Sequence, residues 1–251
     1  MPTVEILCLA NSWKPGGRCV AGLKTDGTGW VRPVSAQPTG VLQSKHYTLA
    51  WGREAALLDV LKMRLSGPQP SSHHPEDWLV DAGRWKRGRP APSQTALAFL
   101  DQCLTVGPDL LGDTHEKIAY SQLQRHPAAE SLALVRPQAL SWRIRRNPAG
   151  GRPKIRALFT LAGTAYNLPL TDPVYQRRLA GLADSDHAWG HPGQEPLLTI
   201  SLGEPFGQNA DCYKLVAGVV ELVSSGSIAK FAENKEKLWR IIWDWILGRA
   251  G

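Results

Sequence analysis

Residues 4–35 read VEILCLANSWKPGGRCVAGLKTDGTGWVRPVS. Three apolar runs, 4–10, 18–23 and 30–35, are separated by two clusters of turn formers, Asn11-Ser12-Trp13-Lys14-Pro15-Gly16-Gly17 and Asp26-Gly27-Thr28-Gly29. Short apolar runs bounded by Gly, Pro, Asn and Asp are the pattern of strands joined by tight turns. The chain therefore opens as an antiparallel meander.

The remainder continues in the same style. Residues 57–65 alternate apolar side chains with Asp59, Lys62 and Arg64, a fourth strand. Arg84-Trp85-Lys86-Arg87-Gly88-Arg89 reads as a short basic loop. Leu97, Leu100 and Leu104 recur at helical spacing and predict a helix over 93–104 with Ser93 as its cap; 113–123 predicts a second short helix. Strands follow at 131–136, 140–146, 154–161 and 166–170, and Asp172-Pro173 starts a short helix over 174–182. Residues 197–202 are apolar, and the Val-rich segment 212–223 fits either a strand or a buried helix. Residues 228–247 read as a helix carrying Trp239, Trp243 and Trp245, apolar nearly all round in its last turns. Such a helix must pack on something, either its own chain or a partner: a second protein or a second copy.

At 251 residues, 43% hydrophobic and 20% charged, the chain has the composition of one large or two small folded domains. Cys8, Cys19, Cys103 and Cys212 form no C-x-x-C pair. Neither a disulfide framework nor a zinc pattern results, and free thiols in a cytoplasmic protein are expected. No signal peptide, and no run of about 20 apolar residues to cross a membrane, is expected.

Charge is uneven. Lys and Arg number 29 against 22 Asp and Glu. Arg136, Arg143, Arg145, Arg146, Arg152, Lys154 and Arg156 lie in one stretch with no acidic residue between them, and they account for the whole net charge of +7. Alternation places Leu140, Trp142 and Ile144 on one face of a strand with Arg143 and Arg145 on the other; the return strand separates Ile155, Ala157 and Phe159 from Lys154 and Arg156. Like charges facing one another destabilise a sheet, and a polyanion relieves them.

Bases of single strands stack on aromatic faces. Aromatic residues beside cations are Trp13 with Lys14, Trp85 with Lys86, Tyr213 with Lys214, and Trp30 with Arg32, where Trp30 itself reads as core. Arg18 follows two glycines that would let a phosphate near the backbone. The candidate nucleic-acid-binding set is therefore Arg143, Arg145, Arg146, Arg152, Lys154, Arg156, Trp13, Lys14, Arg18, Arg32, Trp85, Lys86, Tyr213 and Lys214.

Catalytic patterns are weak. Residues 17–24 approach a P-loop, but Leu23 stands between Gly22 and Lys24. His187 and His191 are separated by Gly190, and His73-His74 reads as a surface pair in a loop. Asp59 with Lys62 falls short of a metal-dependent nuclease centre. No catalytic residue, metal or cofactor is expected.

The blocks Ile6–Ser12, Pro15–Gly22 and Gly29–Ser35, with Leu58-Asp59-Val60, Thr171-Asp172-Pro173, Ser201–Phe206 and Tyr213–Ala217, resemble the bacterial dual-OB (tandem OB-fold) domain family. The resemblance implies two small Greek-key barrels and nucleic-acid binding without an enzyme activity, in defence or stress settings. The expected architecture is mainly β with added helices: a first OB-like domain at 1–87, a helical connector at 88–128, a second OB-like domain at 129–223 and a Trp-rich C-terminal helix at 224–251. The expected ligand is single-stranded RNA or DNA; the alternative is an adaptor that docks through 228–247.

Overall fold

The computed structural model describes residues 2–88, 93–146, 148–190 and 194–223. The C-terminal helix expected at 228–247, and any partner it holds, lies outside the described residues.

The opening meander forms β1 (Thr3–Lys14), β2 (Gly17–Lys24) and β3 (Trp30–Val34), followed by the single turn α1 (Ser44–Tyr47), β4 (Val60–Pro68), β5 (Asp77–Val80) and β6 (Lys86–Arg87). Strand order is β1-β2-β3-β5-β4, and β4 pairs back to β1, so five strands close into a barrel. The β3–β5 pairing is parallel, as a Greek-key return requires, and the others are antiparallel. Ile6, Cys8, Val20, Val31, Leu61, Met63 and Leu65 fill the interior at alternate strand positions.

The second half repeats the plan. After α2 (Ser93–Gln102), β7 (Lys117–Ala119) and α3 (Tyr120–Arg125) come β8 (Leu132–Val135), β9 (Gln138–Arg145), β10 (Lys154–Leu161), β11 (Thr164–Pro169), α4 (Pro173–Leu179), β12 (Asp186–Ala188), β13 (Gln194–Phe206) and β14 (Asp211–Val223). Between β8 and β9 lies Pro137, which has no N–H for a ladder. The two act as one bent first strand: β8 pairs with β13, and β9 pairs with β10. A parallel bridge from Leu170 to Val216 joins the end of β11 to β14, so the cyclic order matches that of the first barrel. Both halves are OB-like barrels.

Local readings explain much of this. β10 runs Lys154–Leu161 with strict in–out alternation. Asp172 caps α4, accepting from the backbone N–H of Val174 and Tyr175 at 2.8 and 3.1 Å. The ambiguous segment 212–223 is strand β14, apolar because it packs in the second barrel on one side and on β1 at the seam on the other. Residues 113–123 differ from the expected helix. Lys117–Ala119 adds a strand to the start of β14, and only Tyr120–Arg125 is helical.

The barrels share a seam. Leu7, Leu9 and Leu23 of the first pack with Leu134, Leu197 and Val220 of the second, and Leu100 of α2 closes over them. Polar ties reinforce it. Buried Arg32 pairs with Asp77 at 2.6 Å and donates to Ser131 Oγ at 3.0 Å, while Glu76 accepts from the Ser131 N–H and hydroxyl.

Candidate functional site

In barrels of this kind the loops between strands one and two and between strands four and five, with the face of strands two and three, form the ligand side. Here those parts of both barrels meet at one cleft of about 790 Å³. Trp13 and Lys14 enter it from the end of β1, Pro15 from the β1–β2 turn, and His74 from the β4–β5 loop. The second barrel supplies Arg156 of β10, Pro169 of β11, residues 201–206 of β13 and Tyr213 of β14.

Aromatic and cationic groups converge there. Phe206 is 75% exposed and Trp13 42% exposed, large apolar groups left facing solvent. The Arg18 and Arg152 guanidinium carbons lie 4.2 and 5.0 Å from the Trp13 ring centroid. Arg152 comes from the β9–β10 loop, so one cation from each barrel holds this indole. Tyr213 has the Lys117 ammonium 5.7 Å from its ring.

The floor of the cleft is a polar tie. Glu204 accepts from Lys14 Nζ at 2.7 Å and shares a 2.8 Å hydrogen bond with His73 Nε2. His74 Nε2 is 2.9 Å from the Leu202 carbonyl. Burial, with Arg32 and His73 beside it, pushes the His74 imidazole down to about 2, so it is neutral and donates to that carbonyl. Burial works to raise the Glu204 carboxyl, but the His73 hydrogen bond, His74 and Lys14 outweigh it and hold the group well below the usual carboxylate range. The histidines expected at the surface are thus buried, because their loop docks on the second barrel. His73, His74 and Glu204 do offer ligand atoms within 4.8 Å of one another. The Lys14 ammonium on Glu204 and the Arg32 guanidinium near His74 already supply positive charge there, which suits a tie between barrels better than a cation site.

The basic hairpin folds as read, with Arg143 opposite Arg156 and Arg145 opposite Lys154. Its charge is largely answered from elsewhere. Arg143 and Arg145 bind Asp186 of β12, Arg146 binds Asp184, Arg156 binds Glu116, and Arg136 binds Asp101. Among the described residues only Arg152 and Lys154 of the seven have no carboxylate partner.

Four residues of the expected set offer no exposed side chain to the cleft. Trp85 is 2% exposed and packs in the first core, so it offers no stacking face. Lys86 next to it is exposed but lines a different pocket. Lys214 has no exposed side chain and binds Asp113; burial lowers its affinity for a proton, which the Asp113 contact opposes. Arg32, with 2% exposure, is a strut at the seam. The glycines before Arg18 also have another role. A Cβ on Gly17 would lie 2.0 Å from the Leu42 carbonyl oxygen, so that residue permits strand approach. Arg18 itself is buried against Glu54 and the Trp13 ring.

The structure therefore gathers Trp13, Lys14, Arg18, Arg152, Arg156 and Tyr213 at or beside the cleft and adds Phe206, which sequence reasoning missed. Its signal was a large aromatic in a Gly-Glu-Pro-Phe-Gly turn. All four cysteines are free, and no described helix is long and apolar enough to cross a membrane. No curated protein matches the chain. The family model for a dual OB-containing domain matches residues 4–219, spanning both barrels and every residue of the cleft. The chain belongs to the dual OB-containing domain family.

Proposed function

We propose that the protein binds single-stranded RNA or DNA in the cleft between its barrels, without a chemical step. The observation that carries this reading is the exposed pair Trp13 and Phe206 at the ends of β1 and β13 in two different barrels, facing one cleft with Arg152 at its edge. Bases stack on such faces irrespective of sequence, and the neighbouring cations meet the backbone. The apolar lining from Pro15, Pro169, Pro205 and Leu215 favours unpaired bases over the polar exterior of a duplex. Free thiols support a cytoplasmic setting.

Fluorescence anisotropy with labelled single-stranded and duplex oligonucleotides of both sugars tests the reading. Single strands should bind, duplexes should bind much more weakly, and the double variant Trp13→Ala, Phe206→Ala should lose binding. Equal affinity of the double variant and the parent for single strands would overturn it.

A further inference from the structure

The segment Arg84-Trp85-Lys86-Arg87 plays no part in the cleft, yet it borders a second pocket of about 540 Å³ on the first barrel. Leu49, Ala50, Arg53, Arg84, Trp85, Lys86 and Arg87 line it, and it shares no lining residue with the cleft. Four of these seven residues are cationic.

Their arrangement is built. The buried Asp59 carboxylate receives Arg53 at 2.7 Å through one oxygen and Arg87 at 3.1 Å through the other, and also accepts the Ala56 N–H at 2.9 Å. One fixed acid thus orients two guanidiniums. Arg84 and Lys86 have no carboxylate partner among the described residues, which leaves the lining with excess positive charge. Lys86 also stands opposite Lys62 in the β4–β6 ladder, a like-charge pair that costs stability, and Lys62 is already engaged by Glu5. Trp85, almost wholly buried, has an indole N–H with no hydrogen-bond partner among the described residues. A buried donor without an acceptor is uncommon in folded proteins.

Excess cations and an orphan donor call for the same thing: an anion with several acceptor oxygens. We propose that this pocket binds a phosphate oxyanion, held by Arg84 and Lys86 with Arg53 and Arg87 as the fixed wall, and with the Trp85 indole as part of the lining. The site is independent of the cleft and stands whether or not bases stack there.

The experiment follows the Trp85 indole N–H by nuclear magnetic resonance on the full 251-residue chain, the resonance being assigned by its loss in Trp85→Phe. Inorganic phosphate and an abasic oligodeoxynucleotide are titrated separately at constant ionic strength, with sodium chloride as the control. A saturable shift with phosphate supports the site and assigns it to free phosphate. Saturation by the abasic strand supports it and assigns the strand backbone. The double variant Arg84→Ser, Lys86→Ser should weaken either response about tenfold, whereas Arg152→Ser in the cleft should leave the response to inorganic phosphate unchanged. No saturable shift with either probe, or an equal shift with chloride, overturns the proposal, and so does an unaltered response in the double variant.

Discussion

Gly218 and Leu9 touch through the backbone: a Cβ on Gly218 would stand 2.2 Å from the Leu9 carbonyl oxygen. Leu9 sits at the register break of β1 between Cys8 and Ala10, and its carbonyl accepts the Thr199 hydroxyl at 2.7 Å. The irregularity turns a backbone acceptor of the first barrel towards the second. Gly218→Ala should therefore force the seam apart and cost about 1–3 kcal/mol. Thr199→Val keeps the volume but strips the donor from a buried carbonyl, at a cost of about 1–3 kcal/mol. Urea titrations should show both variants unfolding earlier in one transition, since the barrels share a core. A Gly218→Ala midpoint equal to that of the parent would show the seam to be looser than described.

Trp13 and Phe206 should each carry part of the affinity for a single strand. Stacking is worth about 1–3 kcal/mol per base, so alanine at either position should weaken binding roughly five- to a hundredfold. Met63→Leu provides the contrast: it alters a buried core residue that lines neither pocket and should leave oligonucleotide affinity within about twofold. Anisotropy on the three single variants separates these outcomes. A Met63 effect as large as that of Trp13 would remove the cleft from its proposed role.

The hairpin was legible because its information is local. The alternation of Leu140, Trp142 and Ile144 against Arg143 and Arg145 is set by a two-residue period, and the register pairs the arginines as that period requires. The cap at Asp172 and the opening meander were local in the same sense. What the sequence hid was distant. The partner of Lys214 lies 101 residues away, and those of Arg143 and Arg156 lie 43 and 40 residues away. Trp85 reads as a loop residue in a basic run, but the pairing of β6 with β4 turns its ring inward. Short strands β5, β6 and β12 owe their existence to neighbours more than to their own composition. The cleft is the furthest from the sequence, because its walls come from both barrels.

Ion pairing on the hairpin changes the expected salt dependence. If all seven cations of 136–156 met phosphates, the logarithmic slope of single-strand affinity against salt would be about −5. Arg152 and Lys154 alone would give about −1.4. Binding measured at several salt concentrations should therefore show the shallow slope, and Arg152→Ser should flatten it further. Arg143→Ser with Arg145→Ser should leave both affinity and slope nearly unchanged, since these side chains hold Asp186. A steep slope that the Arg143 and Arg145 changes abolish would return the binding face to the hairpin exterior.

Acid should loosen the tie beneath the cleft, and the direction follows from two groups. His74 titrates near 6.5 when free and at about 2 when buried here. Below pH 6.5 the unfolded chain takes up a proton that the folded chain refuses, so stability falls as pH falls towards 2. Glu204 is held below its ordinary 4.5, so its contribution is present above pH 4.5 and is lost as pH drops through the folded value. Asp77, raised by burial against the pull of Arg32, acts in the opposite sense from 3.8 upward. The informative measurement is thus a comparison of chains. His74→Gln keeps an N–H for the Leu202 carbonyl but cannot titrate. Unfolding free energies from urea titrations between pH 7 and pH 4.5 should fall in the parent with a slope of at most about 1.4 kcal/mol per pH unit from this one proton, and fall less steeply in the variant. Parallel lines for the two chains would mean that His74 is protonated in the folded state, and the hydrogen bond to Leu202 would then rest on a charged ring.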